Sequence, residues 1–140
     1  MASVRSFSIK EVAENVGLTL QNLMITCYYC SKWLTHQEKI IFDHSQLLVV
    51  WKQDLPYACC PACIRTSSRL DFLLGFVRAV PHCRFAELCS YPWETAVVRC
   101  LVCLRKLNEA EKREIENGNL LIFLVKQSLR AHCCLCRIGL

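Results

Sequence analysis

Apolar and polar residues follow one another in short blocks along this chain, and the blocks predict several small elements. Residues 64–78 carry apolar side chains at positions 70, 73, 74 and 77, which is the spacing of one helix face. We expect Pro81 to end this helix. Residues 120–125 form a continuous apolar run, typical of a strand, and the Asn117-Gly118-Asn119 sequence before it predicts a hairpin turn.

The first half of the chain predicts elements of the same kind. Ser8 and Glu11 have the spacing of a capping box and predict a helix start. Residues 18–24 predict a second short helix, so the first 24 residues form an arm. Residues 39–42 and 46–52 are rich in β-forming side chains and predict two strands of a small sheet.

Cysteine is the outlier of the composition, with 12 residues among 140. Eight of them form four C-x-x-C pairs, which are separated by 29, 36 and 29 residues. Each pair of the first half recurs 73 positions later, and so do the apolar residues 47–50 at 120–123. The common register indicates an internal duplication with a shared small core. The eight residues are Cys27, Cys30, Cys60, Cys63, Cys100, Cys103, Cys133 and Cys136.

Two C-x-x-C turns can close a tetrahedron of sulfur atoms around Zn²⁺, with Zn–S distances of about 2.3 Å. We therefore predict two structural zinc ions per chain, the first pair joined with the second and the third with the fourth. Four protein sulfurs leave no open position for water or substrate, so no catalytic residue is predicted. The other cysteines, Cys59, Cys83, Cys89 and Cys134, fit small buried hydrophobic positions.

Charge and hydropathy narrow the class of protein. No apolar run approaches the roughly 20 residues that span a bilayer, and charged residues interrupt the first 20 positions. We expect an intracellular protein without membrane insertion, where thiols stay reduced. The formal charge is +5, but two four-thiolate zinc sites contribute about −2 each, leaving about +1. A zinc-dependent nucleic-acid-binding regulator is therefore only a second alternative.

The complete cysteine ladder resembles the papillomavirus early protein six family of viral oncoproteins. The segments Thr26-Cys-Tyr-Tyr-Cys and Val98-Arg-Cys-Leu-Val-Cys support the resemblance, which covers essentially the whole chain. It implies an α+β fold of two duplicated, small, treble-clef-like zinc domains, each a short sheet with helices, joined by a linker helix. The implied division is an arm at 1–24, zinc domains at 25–66 and 81–140, and the linker helix at 67–80.

The resemblance also implies a non-enzymatic adaptor that captures acidic LxxLL helices of host proteins in a pocket between the two domains and the linker helix. Expected partners are a Mastermind-like coactivator, with repression of Notch-dependent transcription, a HECT-type ubiquitin ligase, with degradation of host proteins, or paxillin. The implied location is the host nucleus and cytoplasm, and the outcome a block of differentiation and apoptosis. The peptide contacts carried over from the family are Leu47, Leu48, Val50, Cys59, Ile64, Ser67, Leu70, Asp71, Leu74 and Arg99, the last as a polar clamp.

Three departures from the family pattern bear on the choice of partner. His44 and Gln46 stand where the members that degrade a tumour suppressor have an aromatic residue and an acid, and Ser67 stands where a tyrosine is frequent. We therefore expect the Mastermind-like branch rather than the ubiquitin-ligase branch. Ile138 stands where a class I PDZ ligand needs a hydroxyl residue, so PDZ binding is not expected.

Overall fold

The fold is that of a computed structural model, which describes residues 7–137. The chain divides into two compact units, and the boundary falls between Ile64 and Arg65, within helix α3. None of the described helices is both long enough and apolar enough to cross a bilayer. The elements are α1 (Ile9–Asn15), α2 (His36–His44), β1 (Val50–Lys52), β2 (Leu55–Tyr57), α3 (Pro61–Gly75), β3 (Phe76–Pro81), a 3₁₀ helix (His82–Glu87), β4 (Val98–Cys100), α4 (Glu109–Gly118), β5 (Leu121–Val125), β6 (Ser128–Ala131) and α5 (Cys134–Arg137).

Unit 1 is built from α1, α2 and the β1–β2 hairpin. The two strands pair antiparallel, and Gln53 and Asp54 at the turn both have positive φ, as tight hairpin turns require. Ser8 and Glu11 form the predicted capping box at the start of α1. The first two amides of α1 donate to the carboxylate of Asp43, at 2.8 and 2.9 Å, and tie α1 to α2.

Unit 2 contains a four-stranded sheet in the order β3-β5-β6-β4. The β3–β5 and β5–β6 pairs are antiparallel, whereas β4 and β6 are parallel. Helix α4 packs its buried residue Ile115 into the same core as Trp93, Val98 and Ile122. The metal-site residues Cys100 and Cys133 belong to this core, so the cysteine cluster and the hydrophobic core form one structure.

The backbone repeats with the same 73-residue register as the cysteines. Positive φ angles occur in three pairs of aligned positions: Ser31 and Leu104, Gln46 and Asn119, and Gln53 and Lys126. None of these residues is glycine, so the aligned turns hold a conformation that ordinary side chains disfavour. The prediction of duplicated small α+β zinc domains is confirmed. The division into four segments stays a prediction.

Helices α2 and α4 are aligned elements of the duplication and begin in the same way. Thr35 and Asn108 cap them, and a glutamate three residues later completes each capping box. The next residue in both is a lysine turned inward onto backbone carbonyls of the preceding segment. Lys39 donates to residues 20, 21 and 23, and Lys112 donates to residues 94 and 96.

One strand prediction for the first half is wrong, and the other is too long. Residues 39–42 are helical, because the capping box of Thr35 and Glu38 nucleates α2 and outweighs the β-propensity of the isoleucines that follow. The strand predicted over 46–52 is confined to Val50–Lys52. Residues 18–24 form turns rather than a helix, since Gly17 with φ of +74° breaks the chain direction after α1.

Two predictions near helix ends are also wrong. Helix α3 spans Pro61–Gly75 instead of 64–78, because Phe76–Pro81 pair with β5 as an edge strand, where Pro81 needs no donor. The Asn117-Gly118-Asn119 sequence is not a hairpin turn. Helix α4 runs through Gly118, and Asn119 ends it in the left-handed conformation.

Candidate metal centres and peptide site

The structure brings together the two sets of four cysteine sulfurs that the repeat predicts. Within each set the sulfur atoms lie within 4.8 Å of one another, and each cluster could hold a metal ion. The Sγ atoms of Cys30 and Cys60 are 3.8 Å apart, as are those of Cys103 and Cys133. A tetrahedron with metal–sulfur distances of about 2.3 Å has edges of about 3.8 Å, so the geometry fits a tetrahedral ion.

The first C-x-x-C pair of each unit lies on a turn that is closed by backbone hydrogen bonds. The amide of Cys27 donates to Lys32 O at 2.9 Å, and the amide of Cys100 donates to Arg105 O at 2.8 Å. The left-handed residue after the second cysteine, Ser31 or Leu104, reverses the chain. This turn points both sulfurs of the pair to one side.

The second pair of each unit lies at the start of a helix. Cys60 directly precedes α3, whose first residue Pro61 has no amide proton to leave unpaired. Cys133 directly precedes α5. Backbone hydrogen bonds hold the second pair against the turn that carries the first pair. In unit 1 the amide of residue 28 donates to Ala58 O, and in unit 2 the amide of residue 101 donates to Ala131 O, both at 2.8 Å.

Backbone amides favour the thiolate form of one cysteine in each cluster. Burial raises the pKa of Cys27, but amides of residues 30, 60 and 29 lower it, and the result is about 6. The side chain of Cys103 lowers the pKa of Cys100, burial opposes this, and backbone amides bring the value to about 4. Since only thiolates bind the metal, one ligand of each cluster is held in the binding form, whereas burial raises the pKa of others, such as Cys60 and Cys136.

A buried ion pair supports the cluster of unit 2. Glu111 is 2% exposed, and its carboxylate accepts hydrogen bonds from Arg105 and from the amide of Cys134, the latter at 2.8 Å. In the aligned pair of unit 1, Lys32 Nζ lies 3.1 Å from Glu38 Oε2, and about half of the lysine side chain is exposed. Neither ion pair is among the sequence predictions, although the two pairs occupy positions related by the 73-residue register.

Unit 2 also has a cavity of about 650 Å³ that is open to solvent and has two arginines in its lining. Arg99 lies on β4 and Arg130 on β6, which are neighbouring strands. Burial lowers the pKa of both guanidinium groups, and the charge of Arg130 lowers that of Arg99 further. Among the residues that the structure describes, none accepts a hydrogen bond from the buried Nε of Arg130. The apolar part of the lining comes from Leu88, Ala96, Val97, Leu124 and Leu129.

A comparison with known protein families identifies the family of the chain. The family model described as Early Protein (E6) matches residues 27–136, which include all eight cysteines of the two clusters. The chain belongs to the papillomavirus E6 family. The three relatives described next match over 91–96% of their own length, so the resemblance extends well beyond the metal ligands.

Three relatives illustrate the sequence identity and the coverage of the matches. Protein E6 of Human papillomavirus type 1 is 30% identical over 131 residues, which cover 94% of each chain. Protein E6 of Human papillomavirus 42 is 31% identical over 97% of this chain and 91% of its own. Protein E6 of Mastomys natalensis papillomavirus is 27% identical over 93% of this chain and 96% of its own.

In this E6-family chain the expected peptide contacts of unit 1 differ in exposure. Leu48 and Val50 are exposed, at 51% and 39%, whereas Ile64 is 7% exposed and belongs to the core. Leu47 and Cys59 are half-buried. Burial also raises the pKa of Cys59 to about 11, so this side chain stays a neutral thiol. Leu48 and Val50 are therefore the accessible members of the set in unit 1.

The remaining expected contacts lie in unit 2, four of them on α3. Leu70 and Leu74 are exposed, at 51% and 81%. Asp71 faces Lys126 at 3.2 Å and Arg130 at 3.8 Å. Ser67 is half-buried.

Arg99, the fifth contact of unit 2, donates to Leu104 O at 2.9 Å. Ser68 is not among the residues predicted from the sequence. It is 1% exposed, donates to Leu101 O at 2.6 Å and accepts from Arg130 at 3.4 Å. The peptide-contact set as a whole stays a prediction.

The two residues used to separate the family branches do not lie on a strand. His44 is the last residue of α2, and Gln46 follows in a turn with φ of 57°. Both are exposed, so they lie on the surface of unit 1. Ile138, on which the expectation about PDZ domains rests, lies outside the described residues.

Proposed function

We propose that this E6-family chain is a non-enzymatic viral adaptor that captures acidic LxxLL helices of host proteins. The observation that supports this most strongly is the cavity of unit 2, whose lining combines Arg99 and Arg130 with apolar side chains. A volume of about 650 Å³ is within the range of small-ligand sites, and it suits leucine side chains better than a flat surface would.

The lining of the cavity matches both parts of such a ligand. Leucine side chains gain about 25 cal/mol for each Å² of apolar surface that leaves water. A carboxylate gains a charge-assisted hydrogen bond from an arginine that water solvates poorly, as Arg99 and Arg130 are here. An acid on the ligand would add a negative charge beside the two neighbouring guanidinium groups, of which Arg130 already contacts Asp71 at 3.8 Å.

Exposed apolar side chains elsewhere are consistent with peptide capture. Unit 1 exposes Leu48 and Val50, and the part of α3 within unit 2 exposes Leu70 and Leu74. Large exposed apolar side chains that occur in groups, rather than singly, are typical of interaction surfaces. We propose that Leu48 and Val50 in unit 1, and Leu70 and Leu74 in unit 2, are each accessible contact residues for leucines of an LxxLL helix.

The preferred partner in this proposal is a Mastermind-like coactivator, whose capture represses Notch-dependent transcription in the host nucleus. His44 and Gln46 support this branch, because an imidazole and an amide cannot supply the aromatic surface and negative charge of the members that degrade a tumour suppressor. Recruitment of a HECT-type ubiquitin ligase is the alternative, and paxillin in the cytoplasm is a further candidate.

We propose that the metal in both clusters is Zn²⁺. Four thiolates in a tetrahedron suit zinc, and they would hold it in a structural role with no position left for substrate. Elemental analysis of the purified protein should find two zinc ions per chain. One ion per chain, or four disulfides by mass spectrometry, would contradict the assignment.

The partner is tested by fluorescence anisotropy with the zinc-loaded protein and two labelled peptides. One peptide carries the LxxLL helix of a Mastermind-like coactivator and the other that of the HECT-type ubiquitin ligase. Tighter binding of the coactivator peptide supports the Notch-repressing adaptor, and tighter binding of the ligase peptide supports the alternative. Binding of neither peptide would overturn the capture of LxxLL helices.

The role of the cavity is tested by Arg99→Ala, which we expect to weaken peptide binding at least tenfold without loss of zinc. Arg113→Ala is the matched control, because Arg113 is an exposed arginine of the same unit outside the cavity. Equal affinities of the two variants would show that Arg99 does not contact the ligand.

A further inference from the structure

Helix α3 carries an LxxLL sequence of its own, Leu70-Asp71-Phe72-Leu73-Leu74. Residues three and four positions apart lie on one face of a helix, so the three leucines form a single apolar surface. All three are exposed, at 51%, 65% and 81% in chain order. The chain therefore displays on its surface the same motif that it is proposed to capture.

The two intervening residues of the motif attach the helix to unit 2. Asp71 pairs with Lys126 at 3.2 Å. The ring of Phe72 lies 5.0 Å from that of Phe76 and 6.2 Å from that of Phe123. In an LxxLL helix bound in a groove, these two positions face away from the groove. Here Asp71 and Phe72 contact unit 2 residues outside the helix, and the three leucines are exposed to solvent.

This attachment prepares the helix for binding. A short free peptide must first become helical, which opposes association, whereas α3 is already a 15-residue helix. The amide of Lys126 also donates to Gly75 O at 2.7 Å and fixes the end of the helix. The leucine face is thus presented in the conformation that a helix-binding groove requires.

The flanking charge indicates which groove fits. Arg65 and Arg69 precede the motif by five and one positions and are both exposed. We propose that α3 is itself a ligand, which docks its leucine face into an apolar, acid-rimmed groove of a host protein that takes LxxLL helices. A second copy of this chain fits poorly as the partner, because its cavity carries Arg99 and Arg130, which would repel the flanking arginines.

This interaction goes beyond the proposed peptide capture and uses a partly different set of residues. Leu70 and Leu74 belong to both sets, so one copy of the chain cannot engage both partners through α3 at the same time. Leu73 is outside the expected peptide contacts, whereas Arg99 is outside the LxxLL sequence. Substitution of these two residues therefore separates the two activities.

The probe is the agonist-bound ligand-binding domain of a nuclear hormone receptor, a domain whose coactivator groove takes LxxLL helices. Surface plasmon resonance should show binding of the zinc-loaded full chain, and Leu73→Arg should weaken it at least tenfold. Leu55→Arg is the matched control, an exposed leucine of unit 1 whose change should leave affinity unaltered. Arg69→Glu should also weaken binding, because it reverses the charge that faces the acidic rim of the groove. A free LxxLL coactivator peptide should displace the chain.

Several results would overturn the proposal: no binding of the receptor domain, binding that Leu73→Arg leaves unchanged, or binding that the coactivator peptide does not displace. Concentration-dependent self-association that Leu73→Arg abolishes would assign the face to a second copy instead. The zinc content of Leu73→Arg shows whether unit 2 is still folded. Leu73→Ala removes the leucine without adding a charge and should weaken binding as well. Leu73→Arg should still bind the Mastermind-like peptide and Arg99→Ala the receptor domain, so failure of either proposal is recognised independently.

Discussion

Replacement of Glu111 by glutamine tests how far unit 2 depends on its buried ion pair. The change keeps the size of the side chain but removes the negative charge that faces Arg105, whose side chain is 15% exposed. Breaking a buried pair leaves a charge uncompensated and destabilises proteins by about 3–5 kcal/mol. Because Arg105 keeps some contact with water, we expect a value near the lower end, about 3 kcal/mol.

The aligned variant Glu38→Gln provides the matched control in unit 1. Its partner Lys32 is 51% exposed, so water and salt screen this pair and the loss of stability should be clearly smaller. Both glutamates occupy the same position of a capping box, and glutamine can retain that hydrogen bond. The difference between the two variants therefore excludes the helix cap and reports the ion pair together with the hydrogen bond from the amide of Cys134, to which Pro61 is the aligned residue in unit 1.

Urea unfolding of the zinc-loaded protein, followed by tryptophan fluorescence, measures both variants. Trp93 is buried in unit 2, whereas Trp33 and Trp51 belong to unit 1, so single-tryptophan backgrounds assign each transition to a unit. Glu111→Gln should shift the Trp93 transition to lower urea and leave the Trp51 transition in place. Equal shifts for Glu38→Gln and Glu111→Gln would refute the argument that burial sets the strength of the pair.

Two further predictions concern unit 1 and the metal clusters. Lys39→Met should destabilise unit 1 by about 3 kcal/mol, because Lys39 is 3% exposed and three backbone carbonyls lose a charged donor. Lys10→Met is the control, because Lys10 is exposed, and it should change the free energy of unfolding little in the same urea assay. Acidification should release the metal of unit 1 before that of unit 2. The pKa values of Cys27 and Cys100, about 6 and about 4, lie below the ordinary thiol value, so the stability that each thiolate contributes is lost as pH falls through the folded value. The indole NMR signals of Trp51 and Trp93 against pH measure the order, and release in the reverse order would contradict it.

Prediction from the sequence succeeded where spacing alone carries the information. The 73-residue register of the cysteines identified the two clusters, because four ligands of one ion must come from segments that the fold holds together. The capping box of Ser8 and Glu11 was predictable for a similar reason, since it involves only residues three positions apart.

Prediction failed where two local signals competed. Residues 39–42 contain two isoleucines and a phenylalanine and look like a strand, but the cap at Thr35 and the inward bonds of Lys39 make them helical. The Asn117-Gly118-Asn119 sequence suits either a hairpin turn or a helix end. These three residues end a helix here because the ten-residue helix α4 runs directly into them, and the three residues alone do not show that a helix precedes them.

The sequence by itself determined the duplication, the two four-cysteine clusters and the family to which the chain belongs, because these depend on residue type and spacing. Only the tertiary structure decided which charged residues are buried. Arg130 meets Arg99 across neighbouring strands, and Glu111 reaches the amide of Cys134 over 23 positions of sequence. The same holds for the three exposed leucines of α3, whose pattern equally suits a buried stripe. Burial depends on what packs against a face, and spacing along the chain does not specify that.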